Sequence, residues 1–155
     1  MQIAGTYRFQ AARPAVWAVL TDETALARCL PGCKELVPQE PGRYRAVLEM
    51  GLAAVKGKYD GTLTLLERDE PSRLTIQMEA GASTGWVKVT GAITLSEDGP
   101  AATAATYNWA VQAGGPVAMV GQRVLGGVAK WVVGEFFAAA AKELAGRQPR
   151  EEELR

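Results

Sequence analysis

Apolar and polar residues alternate along most of this chain, and a period of two is typical of strands that bury one face. The predicted strands cover residues 2–10, 33–40, 43–50, 56–68, 74–80, 86–96 and 103–113. Between the first two strands the period becomes helical. Pro14 is well placed in the first turn of a helix that ends near Leu20. Either Thr21 or Asp22 can cap a second short helix, which runs to Cys29.

The longest apolar stretch lies near the C-terminus. Residues 116–144 read PVAMVGQRVLGGVAKWVVGEFFAAAAKEL, which predicts one continuous helix of roughly 43 Å. Arg123, Lys130 and Glu135 interrupt it, whereas a membrane-spanning helix needs about 20 residues with few or no charges. We therefore expect a helix of a soluble protein with one apolar face.

A helical wheel predicts which residues form that face. They are Val117, Gly121, Val124, Val128 and Val132. Arg123 and Lys130 lie on the opposite side, which predicts that they are solvated. Glu135 falls on the apolar side, where a carboxylate needs a partner. An ion pair with an arginine such as Arg13 and a role toward a ligand are both open.

Six strands joined by short turns predict an antiparallel meander, because parallel neighbours need connections of about a dozen residues. The apolar face of such a sheet needs a cover, and only the long helix is large enough. The sequence therefore predicts an α+β fold, with a seven-stranded antiparallel sheet wrapped on a long C-terminal helix. Residues 1–145 form a single domain in this interpretation, and residues 146–155 form a charged, flexible tail.

Composition narrows the chemistry. Seventeen basic and seventeen acidic residues give no net charge, and no basic run supports nucleic-acid binding. Histidine is absent, which removes the commonest general base and metal ligand. Cys29 and Cys33 lack the partners of a zinc site, so we expect no metal and two free thiols. The N-terminus lacks the pattern of a signal peptide, which favours a cytoplasmic protein.

Two features predict a cavity between sheet and helix. First, the helix contains Gly121, Gly126, Gly127 and Gly134, and each costs up to about 1 kcal/mol in a helix interior. Such glycines permit either close packing on the sheet or room for a ligand. Second, large and adaptable side chains face inward. The predicted lining is Leu48, Met50, Tyr59, Leu63, Ile76, Met78, Trp86, Trp109, Val117, Val120, Gly121, Val124 and Val128, with Leu30, Pro31 and Gly32 as a gate.

The order of elements resembles the helix-grip fold of the START and birch-allergen-like (SRPBCC) superfamily. Within it, the chain is similar to the CoxG family, which is named for a subunit of carbon monoxide dehydrogenase. The segments that carry this resemblance are GTYRFQAARPAVWAVLTD, CLPGCKEL, VKGKYDGTLTL, GQRVLGG and GEFF.

The resemblance implies a non-catalytic module that binds a hydrophobic small molecule, a lipid or a quinone, between sheet and helix. It requires no cofactor for chemistry. The family also implies association with molybdenum hydroxylases such as carbon monoxide dehydrogenase, by membrane recruitment or quinone delivery, at the inner face of the cytoplasmic membrane.

Two alternatives remain open. Related helix-grip proteins include cyclases and hydrolases, so the chain could be an enzyme acting on a small hydrophobic substrate. Alternation places Glu49, Asp60 and Glu79 on the solvent face, and no nucleophile–base pair can be named. The third hypothesis is an assembly factor whose cavity is incidental.

Overall fold

The structure of the protein, a computed structural model, describes residues 1–51, 55–83 and 85–147. The described residues form seven strands: β1 Gln2–Phe9, β2 Cys33–Glu40, β3 Arg43–Met50, β4 Gly57–Asp69, β5 Arg73–Ala82, β6 Gly85–Glu97 and β7 Thr103–Gly114. They also form three α-helices: α1 Arg13–Leu20, α2 Glu23–Cys29 and α3 Gln122–Arg147. A short 3₁₀ helix, Pro116–Val120, precedes α3.

All seven strands belong to one antiparallel sheet with the order β1-β7-β6-β5-β4-β3-β2. Strands β2 to β7 form the predicted meander, and β1 joins it at β7 with Ile3 opposite Trp109. Because β1 and β2 are the two edges, α1 and α2 carry the chain from one edge to the other. The buried hydroxyl of Thr103 donates to Ala11 O at 2.7 Å, which fixes the chain where it leaves β1. The predicted α+β helix-grip fold is confirmed.

The turn from α2 into β2 depends on Gly32, whose φ is 74°. A Cβ atom at this position would come within 2.3 Å of the carbonyl oxygen of Glu49. Glu49 N donates to Gly32 O at 2.8 Å, and Cys33 N donates to Leu30 O at 3.1 Å. The turn is therefore held by backbone hydrogen bonds on both sides, and only glycine fits its centre.

The prediction of one continuous helix over residues 116–144 is wrong at its beginning. Gly121 has a φ of 91°, which is incompatible with a right-handed helix. The chain therefore forms the 3₁₀ helix first, breaks at Gly121, and begins α3 at Gln122. Glycine adopts this conformation without steric cost, so the break is written into the sequence at that residue.

Helix α3 has two halves with different surroundings. Its buried residues all lie in the C-terminal half: Val133, Phe136, Phe137, Ala140 and Leu144. Within residues 122–132, all of which are described, none is buried. The C-terminal half therefore packs into the core, while the N-terminal half lies over the inner face of the sheet with less support.

The packing of Phe136 and Phe137 sets the rotation of α3, and the predicted apolar face is shifted from the one observed. The inner face runs through Leu125, Ala129 and Phe136 instead of through the valines that the wheel grouped. Glu135 is consequently exposed, so its predicted place on the apolar side is wrong. Arg13 forms its ion pair with Glu97 instead, at 3.6 Å.

Among the described residues, two ion pairs fasten the end of α3 to α2. Arg28 Nη2 donates to Glu143 Oε2 at 2.9 Å, and Arg147 pairs with Asp22. Asp22 also caps α2 by accepting from Thr24 N at 2.9 Å, which decides between the two predicted caps. These pairs reinforce the C-terminal half of α3.

The charged tail predicted from residue 146 begins later, because Gly146 and Arg147 continue α3. Residues 148–155 lie outside the described residues, so the division into a domain and a tail stays a prediction. By length and composition alone, α3 would also pass as a membrane span, since its most apolar window has a mean hydropathy of 1.4. In the structure its C-terminal half covers the sheet of this same chain.

Candidate functional site

A cavity of about 180 Å³ lies between the sheet and the N-terminal half of α3. Strands β3 to β7 form its floor, α3 forms its roof, and Leu26 at the end of α2 closes one side. The strands contribute alternate residues, so one face of each strand is available to the cavity. The helix contributes residues three and four apart for the same geometric reason.

Most of the predicted lining residues lie on this wall. They are Leu48, Met50, Tyr59, Leu63, Ile76, Met78, Trp109, Val117 and Val128. Leu30 and Pro31 of the predicted gate also line the cavity, beside the turn that Gly32 fixes. The structure thus brings together residues from five strands and three other segments of the chain.

Four predicted lining residues lie elsewhere. Trp86 is 49% exposed on the outer face of the sheet, since Val87 and Val89 occupy the inward positions of β6. Its indole lies over Gly114, where a Cβ atom would come within 2.3 Å of Trp86 Nε1. Val124 is 41% exposed on the outer side of α3, and Val120 and Gly121 lie at the break before it.

Gly32 is the fifth predicted residue that does not line the cavity. It supports the turn from below, where its Cβ would lie 3.5 Å from the sulfur of Met50. A gating movement of the turn stays a prediction.

Sequence reasoning missed half of the wall. The missed residues are Leu26, Val55, Ala80, Val87, Val89, Val111, Leu125, Ala129, Val132, Val133 and Phe136. Alternation from Met78 reaches Ala80, so the strand residues could have been found from the pattern. The helical ones follow the spacing 125, 129, 132 and 136, which becomes visible once the rotation of α3 is known.

The described wall carries two polar side-chain groups. The hydroxyl of Tyr59 donates to Val55 O at 2.9 Å. The indole nitrogen of Trp109, Nε1, is closed off from water and has no hydrogen-bond partner. Since neither is a carboxylate, an amine or a thiol, the wall as described suits an apolar occupant more than acid–base chemistry.

The two cysteines are free thiols, as predicted, and lie outside the cavity wall. Burial raises the pKa of the Cys29 thiol to about 11, so it is protonated and unreactive at neutral pH. Burial also raises the pKa of Cys33. The acidic residues weighed as catalytic candidates, Glu49, Asp60 and Glu79, are exposed on the opposite face of the sheet.

An exposed apolar surface lies beside the cavity, where the chain enters α3. Met119 is 86% exposed in the 3₁₀ helix, and Val124 and Trp131 are 41% and 45% exposed on α3. We call these three residues the outer patch. Arg123 and Lys130 are exposed on the same half of the helix, so the patch is apolar with basic neighbours.

A family model matches most of the chain: the model for CoxG, described as a subunit of carbon monoxide dehydrogenase, matches residues 5–145. The chain belongs to the CoxG family. The resemblance carried by the CLPGCKEL and GQRVLGG segments is therefore confirmed. No curated protein matches the chain.

Solved structures agree with the fold of this CoxG-family chain. A conserved protein from Geobacillus kaustophilus is 34% identical with a TM-score of 0.91, covering 94% of this chain and 96% of that one. A START superfamily protein from Mycobacterium smegmatis is 12% identical with a TM-score of 0.76, covering 95% and 99%. A protein from Thermus thermophilus is 11% identical with a TM-score of 0.71, covering 96% and 100%. The last two likenesses concern the fold alone.

Proposed function

We propose that this CoxG-family protein is a non-catalytic carrier that holds a hydrophobic molecule, a lipid or a quinone, under α3. The observation that carries the proposal is the cavity, whose described wall is apolar except for one hydroxyl and one indole N–H. Apolar pockets with a few polar groups are the usual form of small-molecule sites.

The size of the cavity limits the part of the ligand that it encloses. An apolar cavity of about 150 Å³ holds a benzene ring, whereas pockets for drug-sized ligands begin near 300 Å³. At about 180 Å³ the cavity fits a ring or a short stretch of alkyl chain. The rest of a longer molecule would leave past Leu30 and Pro31, which line one side of the wall.

The cost of the cavity argues against an incidental void. Unfilled cavities destabilise a protein by about 24 cal/mol per Å³, which gives about 4 kcal/mol here. That is a large part of the stability of a typical domain. An occupant would recover this free energy, so binding and stability should be coupled.

The finer part of the proposal concerns location and partner. The outer patch and its basic neighbours, Arg123 and Lys130, favour contact with an anionic membrane surface. The family description, a subunit of carbon monoxide dehydrogenase, supports delivery of the ligand to a molybdenum hydroxylase. We propose that the protein works at the inner face of the cytoplasmic membrane.

The proposal is tested by filling the cavity without changing the rest of α3. Ala129 lines the cavity and Ala138 is exposed on the same helix, so Ala129→Phe and Ala138→Phe form a matched pair. The probe is 2-methyl-1,4-naphthoquinone, titrated against the full chain by calorimetry. We expect Ala129→Phe to weaken binding at least tenfold, about 1.4 kcal/mol, while Ala138→Phe leaves it unchanged.

Extraction and mass spectrometry of the protein purified from membrane-containing lysate give an independent measurement. Copurified lipid or quinone should be present in the native protein and in Ala138→Phe, and depleted in Ala129→Phe. Equal loading of all three proteins, or an empty native protein that also fails to bind the probe, would refute the carrier hypothesis. Val128→Phe, also on the wall, serves if Ala129→Phe does not fold.

A further inference from the structure

One hydrogen-bond donor in the cavity wall lacks an acceptor. Trp109 belongs to β7 and lines the cavity, and its Nε1 atom is buried without a partner. Nearly all buried polar groups in native proteins are hydrogen-bonded, so an unpaired one calls for an explanation. Leaving a buried donor unpaired costs its full desolvation free energy.

The orientation of this indole is determined by its surroundings. Trp109 lies opposite Gly91 in the β6–β7 register, and a Cβ atom at Gly91 would come within 2.6 Å of Trp109 Cδ2. The ring therefore lies against bare backbone. On its other side it meets Phe136 of α3 edge-on, with ring centroids 6.1 Å apart. The ring is thus confined between sheet and helix, which fixes the direction of its N–H group.

The other polar group of the described wall differs in this respect. The hydroxyl of Tyr59 already donates to Val55 O at 2.9 Å. The remaining described lining side chains are hydrocarbon or thioether, which accept hydrogen bonds weakly or not at all. Within the described wall, Trp109 therefore holds the donor whose requirement an occupant can meet.

We propose that the occupant carries a carbonyl oxygen at the end held in the cavity, and that Trp109 Nε1–H donates to it. Trp109 would then select carbonyl-bearing molecules, a quinone or a lipid ester, over hydrocarbons of the same shape. Because Nε1 is covered in the structure, the occupant reaches it by pushing neighbouring side chains aside. The inference rests on the carrier function proposed above.

Selection is measured with two probes that share one shape. 2-Methyl-1,4-naphthoquinone and 2-methylnaphthalene have the same ring system and differ by two carbonyl groups. The ratio of their dissociation constants is determined for the native chain, for Trp109→Phe and for Trp131→Phe. Trp131 is an exposed tryptophan of α3 outside the cavity, so its substitution is the matched control.

We expect Trp109→Phe to shift the ratio about tenfold toward the hydrocarbon, and Trp131→Phe to leave it unchanged. Unequal affinities in the native chain alone would not suffice, because the quinone and the hydrocarbon differ in their hydration. An unchanged ratio in Trp109→Phe overturns the inference while the carrier function stands. Failure of the native chain to bind either probe refutes both.

Nuclear magnetic resonance of the native chain supplies a test that does not depend on the folding of a variant. The indole N–H signal of Trp109, identified by its loss in Trp109→Phe or by sequential assignment, should move downfield when the quinone binds and not with 2-methylnaphthalene. Methyl decanoate separates the two sources: a downfield shift with the ester alone indicates a lipid, and one with the quinone alone a ring. No downfield shift with either carbonyl probe, although the probe binds, overturns the inference.

Discussion

Phe137 of α3 stacks on Tyr7 of β1, with ring centroids 5.4 Å apart and planes inclined by 14°. Tyr107 of β7 meets the same phenyl ring at 5.0 Å. Phe137 is 1% exposed, so this contact lies in the core and not at its margin. It fixes the C-terminal half of α3 on the first and last strands, and thereby holds the roof of the cavity in place.

Removing this ring should destabilise the whole fold. We expect Phe137→Ala to lower the free energy of unfolding by about 3–5 kcal/mol, because a buried aromatic ring and its stacking are lost together. Chemical denaturation measures the change. Phe137→Leu keeps most of the volume and should lose considerably less. Equal and small losses in both variants would mean that α3 is held mainly by its ion pairs.

The helical glycines have a different role from either predicted one. A Cβ atom at Gly127 or Gly134 would meet nothing within 4 Å, and both residues are exposed. They neither permit close packing nor line the cavity. We expect Gly127→Ala and Gly134→Ala each to stabilise the protein by up to about 1 kcal/mol, since alanine favours the helix.

Thermal unfolding and probe binding check this expectation together. The melting temperature should rise in both variants, with the affinity for 2-methyl-1,4-naphthoquinone unchanged. A stabilised variant that binds or releases the probe more slowly would show that the glycines keep α3 pliable for ligand entry. Gly121→Ala is the contrasting variant, because its φ of 91° should make alanine unfavourable there.

The space under Trp109 is filled by substitution at Gly91. A methyl group there would come within 2.6 Å of the indole, so the ring must move. We expect Gly91→Ala to cost about 1–3 kcal/mol of stability by overpacking. Near-ultraviolet circular dichroism should show the altered tryptophan environment. Gly99→Ala, in a turn with open space around it, controls for the loss of glycine.

Membrane contact should depend on the outer patch. We expect Met119→Asp combined with Trp131→Asp to weaken binding to phosphatidylglycerol vesicles about tenfold or more in a sedimentation assay. The apolar control is Leu66→Asp, because Leu66 is 53% exposed near the end of β4 away from the cavity. Equal effects of both substitutions, or vesicle binding by neither protein, would contradict the proposed orientation. Added salt should weaken binding through Arg123 and Lys130.

Acid should loosen the attachment of α3 to α2. The guanidinium of Arg147 lowers the pKa of Asp22, and that of Arg28 lowers the pKa of Glu143. Carboxylates with a lowered folded pKa stabilise the protein above their unfolded values of about 3.9 and 4.3, and this stabilisation is lost as pH falls through the folded pKa.

The melting temperature should therefore fall more steeply below about pH 4.5 in the native protein than in Asp22→Asn combined with Glu143→Gln. Asparagine keeps the capping ability of residue 22, so the variant removes charge and not the cap. Parallel curves for the two proteins would assign the acid sensitivity to other groups, such as Asp60, whose pKa the guanidinium of Arg45 lowers.

The sequence by itself determined the strands, their order as a meander and the two short helices, because alternation and turn residues are local properties. It also predicted that Leu63, Ile76 and Met78 face the helix, since the face of a strand residue follows from its parity. It was wrong for Trp86, where the parity of β6 was taken one residue out of phase. The family was recognised from segments spread along the whole chain.

Only the tertiary structure decided how α3 is rotated and where it begins. A helical wheel with apolar residues on several sides has no unique inner face, and contacts of Phe136 and Phe137 with distant strands select one. The exposure of Glu135 and Val124 follows from that selection. The unpaired nitrogen of Trp109 is likewise a tertiary fact, because a missing acceptor is visible only after every neighbour has its place.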